Sequence, residues 1–419
     1  MNRKKTLNSI LVIMALLNIT APATGQAVSV SDEPASLTEA IGGGKVDINL
    51  RLRFEFVDQT GLKDAAALTE RIRIGYGTLL YNGFSFYIDF EDIRAADDDS
   101  YNAAGLNNRV SHAVIADPED SELNQLYVNY TSEKFPFKAR LGRQRLKLDD
   151  DRFVGNVGWR QNEQTFDAAT VWLTPGDNFT LLYSYVWEVN RIFGPGAGRD
   201  FDSESHLINL SYDGLDCGKI TVFAYLLDFE NMNVTPTGPA SSSDTHGIRF
   251  EGSQELSEEF SLAYTLSYAN QSDAGDNATD YDADYYFGQL SLTKKGIGTI
   301  GVGYEVLGSD NSIAAFQTPL ATGHKFNGWA DVFLTTPATG LEDLYFFAAA
   351  PLPFNIKGRI VYHIFEADEG GGDYGEEIDL VLSRKINDNW SVKGKFSDFD
   401  GELGFADRTK FWLQTTFTF

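Results

Sequence analysis

The feature that most constrains the fold is the end of the chain, where residues 409–419 read T-K-F-W-L-Q-T-T-F-T-F. Phe411, Leu413, Phe417 and Phe419 fall on one parity, and Lys410, Gln414, Thr416 and Thr418 fall on the other. A period of two is the signature of a strand, because successive side chains leave it on opposite faces. An apolar terminal strand left at the edge of a sheet would template aggregation. Pairing it with the first strand, so that the sheet closes on itself, removes the edge.

The first strand has the complementary pattern. Val46, Ile48, Leu50, Leu52, Phe54 and Phe56 alternate with Asp47, Asn49, Arg51, Arg53 and Glu55. Eleven residues of strict alternation is about one tilted membrane crossing. The only long apolar run is Leu7 to Ile19, preceded by Arg3, Lys4 and Lys5 and followed by small residues up to Ala27. That is the layout of a secretory signal peptide over residues 1–27. Without a second such run, any membrane crossing has to be made by strands. Residues 28–45 then form a short periplasmic segment. Within it Ser36 and Glu39 have capping-box spacing, and Gly42-Gly43-Gly44 ends the helix they start. Residues 46–419 form the barrel.

Counting in order, strands are predicted at 46–56, 69–81, from Phe84 through Glu91, and near 122–131, 137–147, 164–173, 178–188, 204–213, 218–229, 245–253, 259–270, 282–294, 298–308, 343–350, 355–366, 376–385, 389–398 and 409–419. The total is 18. Short turns such as Asn82-Gly83 alternate with long polar loops such as 94–121, 148–163 and 309–342. The predicted fold is therefore an all-β transmembrane antiparallel barrel of about 18 strands, with short periplasmic turns and long extracellular loops. Phe326 to Leu334 looks strand-like, but counting it would break the alternation, so it is assigned to a loop.

The parities also sort the charge. Arg51, Arg53, Arg71, Arg73, Lys138, Arg140, Arg249, Lys357, Arg359, Lys393 and Lys395 lie on the inward face of their strands. A charge on the lipid face near mid-bilayer costs about 2–4 kcal/mol, so these groups are expected to face a wet lumen. Rings of Arg and Lys select anions; the alternative is an Arg–carboxylate ladder that stiffens the wall. Inward acids are fewer, with Asp47, Glu55, Asp89, Glu91, Asp167 and Glu188 the clearest. A barrel of about 18 strands is expected to hold an aqueous channel rather than a packed core. Acidic runs such as Asp97-Asp98-Asp99 and Asp149-Asp150-Asp151 read as solvated loop surface.

Removing the leader's three basic residues takes the formal charge from -26 to -29, which argues against a nucleic-acid partner. The single Cys217 excludes an intrachain disulfide. No enzymatic arrangement stands out: His206 neighbours Ser205, but adjacent strand residues point to opposite faces. Asp280-Tyr-Asp282-Ala-Asp284 resembles the start of a calcium loop, yet Tyr285 stands where that loop needs Gly. No cofactor and no specific metal site is expected. The expected partners are outer-membrane lipid and lipopolysaccharide, the latter through loosely bridging divalent cations, and an anionic saccharide or small anionic solute.

One block is more distinctive. Residues 143–168 read R-x-R-L-x-L-D-D-x-R-F-V-G-N-V-G-W-R-Q-x-E-x-T-F-D-A. With Lys45 to Glu55 and Phe326 to Pro337, this block resembles the alginate-export family of outer-membrane porins. The resemblance implies an 18-stranded barrel whose basic conduit is narrowed by a loop and carries acidic polysaccharide. It marks Asp149, Asp150, Asp151, Arg152, Asn156, Trp159, Arg160 and Asn162 as the constriction loop. The three consecutive Asp depart from what an acidic ligand would favour.

Overall fold

The computed structural model describes residues 34–231 and 238–419. The proposed signal peptide lies outside the described residues. A short helix, α1 (Leu37–Gly42), comes first, with the Ser36 hydroxyl accepting from the Glu39 amide at 3.2 Å. Eighteen long strands follow: β1 (Lys45–Gln59), β2 (Ala65–Gly77), β3 (Phe84–Ala95), β4 (Asp120–Thr131), β5 (Phe137–Gln144), β6 (Thr165–Leu173), β7 (Phe179–Asn190), β8 (Phe201–Leu215), β9 (Gly218–Leu227), β10 (Ser243–Glu255), β11 (Phe260–Asp273), β12 (Asp282–Lys294), β13 (Gly298–Leu307), β14 (Leu341–Leu352), β15 (Ile356–Glu366), β16 (Asp373–Lys385), β17 (Trp390–Gly401) and β18 (Arg408–Thr418). Each pairs antiparallel with its neighbours in sequence. β18 also pairs with β1, through Leu50 opposite Phe417, Arg53 opposite Gln414 and Phe56 opposite Phe411, so the sheet is closed.

Alternation decides what faces where. Leu52, Phe54, Ile74, Phe90, Leu141, Leu290, Phe346, Phe411 and Leu413 are exposed on the outside, while Arg53, Arg71, Glu91 and Trp412 are buried inside. An outer wall this apolar suits hydrocarbon, where backbone groups have to be satisfied by pairing between strands. Asn82 and Gly83, at φ 49° and 81°, make the two-residue turn between Tyr81 and Phe84. A Cβ on Gly83 would sit 2.7 Å from the Thr131 carbonyl oxygen, so only glycine fits there.

The structure departs from the sequence reading in β2 and in the lumen. β2 begins at Ala65, earlier than expected. Its alanines have little strand propensity, but Ala65 and Ala67 pack with Val57, Tyr101, Ala103, Ala113 and Ile115 under the loop 96–119. Asp282 and Asp284, from the stretch that resembles the start of a calcium loop, lie in β12. The lumen is also not an open channel along its length. Loops 145–164 and 308–340 fold inward at the long-loop end. Their Leu146, Val154, Phe316, Leu320 and Phe333 build a core with the inward Phe166, Val186, Tyr285 and Phe365. Phe326 to Leu334 lies within the second of these loops and forms no strand.

Closure yields a test. Deleting Phe411 to Phe419 would open two unpaired edges in hydrocarbon, each free backbone group costing several kcal/mol. The truncated protein should fail to reach the outer membrane, as read by fractionation and by loss of heat-modifiable gel mobility. Normal levels there would contradict the β1–β18 closure.

Candidate functional site: an arginine-anchored constriction

The site begins with a conflict in the wall. Arg51 of β1 stands directly opposite Arg71 of β2, and Arg53 and Arg73 flank them. Like charges directly across a ladder repel. The loop 145–164 resolves this by laying its backbone over the arginines. The Arg51 guanidinium donates to the carbonyl oxygens of Gly158, Trp159 and Arg160 at 3.0–3.4 Å. Arg53 donates to the Trp159 carbonyl oxygen at 2.5 Å, to Gln414 and to Asp117. Arg71 reaches the Gln161 carbonyl oxygen at 3.1 Å and Asn49 at 2.6 Å. Arg73 pairs with Glu91, and with Glu163 of the loop at 3.1 Å.

The loop residues are tied down in turn. Arg160 pairs with Glu55 at 3.2 Å and with Asp331 of the loop 308–340 at 3.0 Å. Arg152 pairs with Glu305 at 2.7 Å and donates to Asn327 at 2.9 Å. Asn156 donates to Glu163 at 2.6 Å, and Asn162 is fully buried with neither side-chain polar atom partnered. The three aspartates do not sit in open water, contrary to the sequence reading. Asp149 accepts from Asn209 at 2.8 Å, Asp150 pairs with Arg249 at 2.9 Å, and Asp151 lies 3.5 Å from Lys147 and 3.7 Å from Lys325. The reason is steric: the loop packs into the barrel and carries them against the basic wall.

Trp159 is the hub of the constriction. Its ring lies 4.1 Å from the Arg53 guanidinium, stacks on His324 at 4.6 Å and 7°, and meets Trp412 edge-on at 5.9 Å. The Lys395 ammonium sits 4.3 Å from the Trp159 ring and 3.8 Å from the Trp329 ring, and donates to His324 Nε2 at 2.6 Å. That leaves the ring proton on Nδ1, donated to Asp331 at 2.7 Å. Burial pushes His324 well below its ordinary value despite Asp331, so the ring stays neutral at physiological pH. His324, Asp331, Asp117, Glu163 and Trp412 were not singled out from the sequence. Signals existed for three of them: Glu163 and Asp331 lie in the blocks that carry the resemblance, and Trp412 is an aromatic on the polar parity of the closing strand.

The remaining basic residues behave differently. A cavity of about 480 Å³ lies beside the Trp159 layer and is lined by Arg359, Lys393 and Lys395. None of these three forms an ion pair among the described residues; Arg359 stacks on Phe347 at 4.6 Å. The acids of the same cavity already have donors. Glu305 accepts from Arg152, Asn327 and Tyr285, Asp343 from His363 and Asn327, and Asp150 from Arg249. Lys138 and Arg140 line a separate hollow at the short-turn end, where Arg140 stacks on Tyr127 at 4.1 Å. Lys357 is exposed near that same end. The eleven residues are thus not one ring: Arg51, Arg53, Arg71, Arg73 and Arg249 hold loop 145–164, and the other six form no ion pair among the described residues.

A family model described as alginate export matches residues 45–306. The chain belongs to the alginate-export family. The match ends before the Phe326 to Pro337 block. Among solved structures, the chain is similar to Acinetobacter baumannii OccAB4 (13% identity, TM-score 0.68, covering 90% of this chain and 98% of that one). It is similar to Pseudomonas aeruginosa OpdK, solved with vanillate (12%, 0.70, 90% and 99%), and to Pseudomonas aeruginosa OccD3 (13%, 0.65, 93% and 94%). At these identities the likeness is one of fold. No curated protein matches the sequence. The chain is an outer-membrane barrel of the channel-forming kind; its family and fold are those of porins, not of enzymes.

Glu163 provides a pH test of the anchored loop. Burial alone would raise its carboxyl, but Arg73, Arg145 and Asn124 outweigh burial and hold it at about 2. A depressed carboxylate stabilises the docked loop above the ordinary value of 4.5 and loses that contribution as pH falls toward 2. Channel conductance should therefore stay constant from pH 7 to about 5 and become larger and noisier below it. Glu163→Gln should show the noisy state already at pH 7, and identical pH profiles for the two proteins would refute the anchor.

Proposed function

We propose that this member of the family is a passive conduit for anionic solutes, with acidic sugars as the ligand class. One observation carries the reading: Arg359, Lys393 and Lys395 face the lumenal cavity without carboxylate partners, while the acids beside them are already paired. A fixed cation between low-dielectric walls focuses its field on whatever passes, and loop charges in open water are screened within about 8–10 Å. The local charge, not the formal total of -26, therefore sets selectivity. The aromatic rings of Trp329 and Tyr345 in the same cavity suit the apolar face of a sugar ring. A cavity of about 480 Å³ favours short acidic sugars; an alginate-like polymer would need the loops to move aside.

A second reading is a barrel that mainly binds at the surface, its lumen closed. It is favoured by the Trp159–His324 layer, since the cavity on the long-loop side and the lumenal cavity adjoin at a single lining residue, His324. Conductance separates the two. In a salt gradient across a planar bilayer, the reversal potential should indicate anion preference. Arg359→Gln with Lys393→Gln should reduce the permeability ratio several-fold, while Arg53→Gln should chiefly raise conductance by loosening the loop. Cation preference in the unmodified protein would refute the conduit for anions, and absence of conductance would favour the closed barrel.

A further inference from the structure

The long-loop side holds a cavity of about 590 Å³ on which six long loops converge, and it has a chemistry of its own. Its charged lining is Arg160, Arg191, Arg408, Lys410 and a single acid, Asp331. Asp331 is already taken, by Arg160 at 3.0 Å, Lys410 at 2.6 Å and His324 at 2.7 Å. Arg191 and Arg408 form no ion pair among the described residues. Arg191 donates to the Arg199 carbonyl oxygen at 3.4 Å, and its guanidinium lies over Phe193 and Phe201 at 5.1 and 4.5 Å. Arg408 donates through Nη1 to the carbonyl oxygens of Ala330 and Asp331, and its buried Nε has no partner.

The rest of the wall mixes polar groups such as Gln164, Asn277 and Gln317 with apolar side chains, some of them unusually exposed. Ile313 is 66% exposed, Leu334 58% and Val114 43%, and all three line this cavity. Exposed apolar side chains gathered in a concave, cationic site mark a place where something binds. A fully hydrated anion would use the arginines and waste the walls; a neutral apolar molecule would do the reverse.

We propose that this vestibule is a binding site for amphiphilic anions: a carboxylate, sulfonate or sulfate held at Arg191, with an apolar body against the exposed apolar side chains of the same wall. The proposal rests on the reading of the barrel as a conduit for anions, but names a separate site whose occupant differs from a plain acidic sugar. A site on the long-loop face is filled from outside the cell, so a ligand held there is poised for uptake through the Trp159–His324 layer.

The test uses naphthalene-2-sulfonate, with methanesulfonate and naphthalene-2-methanol as controls that each lack one half of the chemistry. Isothermal titration calorimetry on the full chain in lipid nanodiscs, against empty nanodiscs, reads binding whether or not the barrel conducts. Naphthalene-2-sulfonate should bind at least ten-fold tighter than either control, and Arg191→Gln should weaken it about ten-fold, as loss of one charge-assisted contact does. Arg191 makes one carbonyl hydrogen bond and lies over two Phe rings but forms no ion pair among the described residues, so this variant should fold; retained heat-modifiable mobility confirms it. In conducting bilayers, block by the probe should be stronger from the long-loop side. Arg359→Gln with Lys393→Gln should lower anion preference yet leave probe binding unchanged, which separates the site from the conduit. Equal binding of the neutral naphthalene, or of the folded Arg191→Gln variant, would overturn the proposal.

Discussion

Everything at the constriction follows from four arginines on two adjacent strands. Arg51 and Arg71 are direct partners across the β1–β2 ladder, with Arg53 and Arg73 beside them. They cannot turn outward, because that face is lipid. Two like charges about 5 Å apart repel by about 3 kcal/mol at an effective dielectric near 20. Something in the lumen has to satisfy them. The loop 145–164 does so with backbone carbonyl oxygens and one carboxylate, Glu163, and in return it is fixed in place. The same interaction reconciles the charges and narrows the barrel.

The anchored loop then divides the lumen. Arg152 and Asn327 reach across to the acids of β13 and β14, and Arg160 and Lys410 draw in Asp331 of the loop 308–340. Pairing is so extensive that what remains unpaired stands out. Arg359, Lys393 and Lys395 are left on the lumenal side, and Arg191 and Arg408 on the long-loop side. Both cavities adjoining the constriction therefore keep cations without ion-pair partners, in a chain whose formal charge is -26.

The barrel was legible in the sequence because period-two alternation is a local property. All 18 strands follow from it, while the assignment of Phe326 to Leu334 to a loop follows from the alternation of short turns with long loops. It failed where side chains carry no contrast, as at Ala65 and Ala67, whose place in β2 depends on packing beneath the loop 96–119. The constriction was legible only in part. Trp159 and Arg160 could be marked from the resemblance, but their partners are remote: Arg53 and Trp159 are 106 residues apart, and Arg160 and Asp331 are 171 apart. No pattern in a window of ten or fifteen residues carries such a contact. For the same reason Asp149, Asp150 and Asp151 read as open surface, although Asn209, Arg249 and Lys325 meet them inside the barrel.

Hydrogen–deuterium exchange of the loop backbone in lipid nanodiscs tests the central claim, that loop 145–164 is fixed to the arginine wall. The amide of Gly155 donates to the Leu320 carbonyl oxygen at 2.9 Å, that of Val157 to the Thr322 hydroxyl at 3.1 Å and that of Gln161 to the Asp117 carboxylate at 2.8 Å. These amides should exchange as slowly as those of the neighbouring strands, and much more slowly than the exposed loop around Asp97 to Asp99. Exchange of residues 155–164 as fast as that exposed loop would contradict the account.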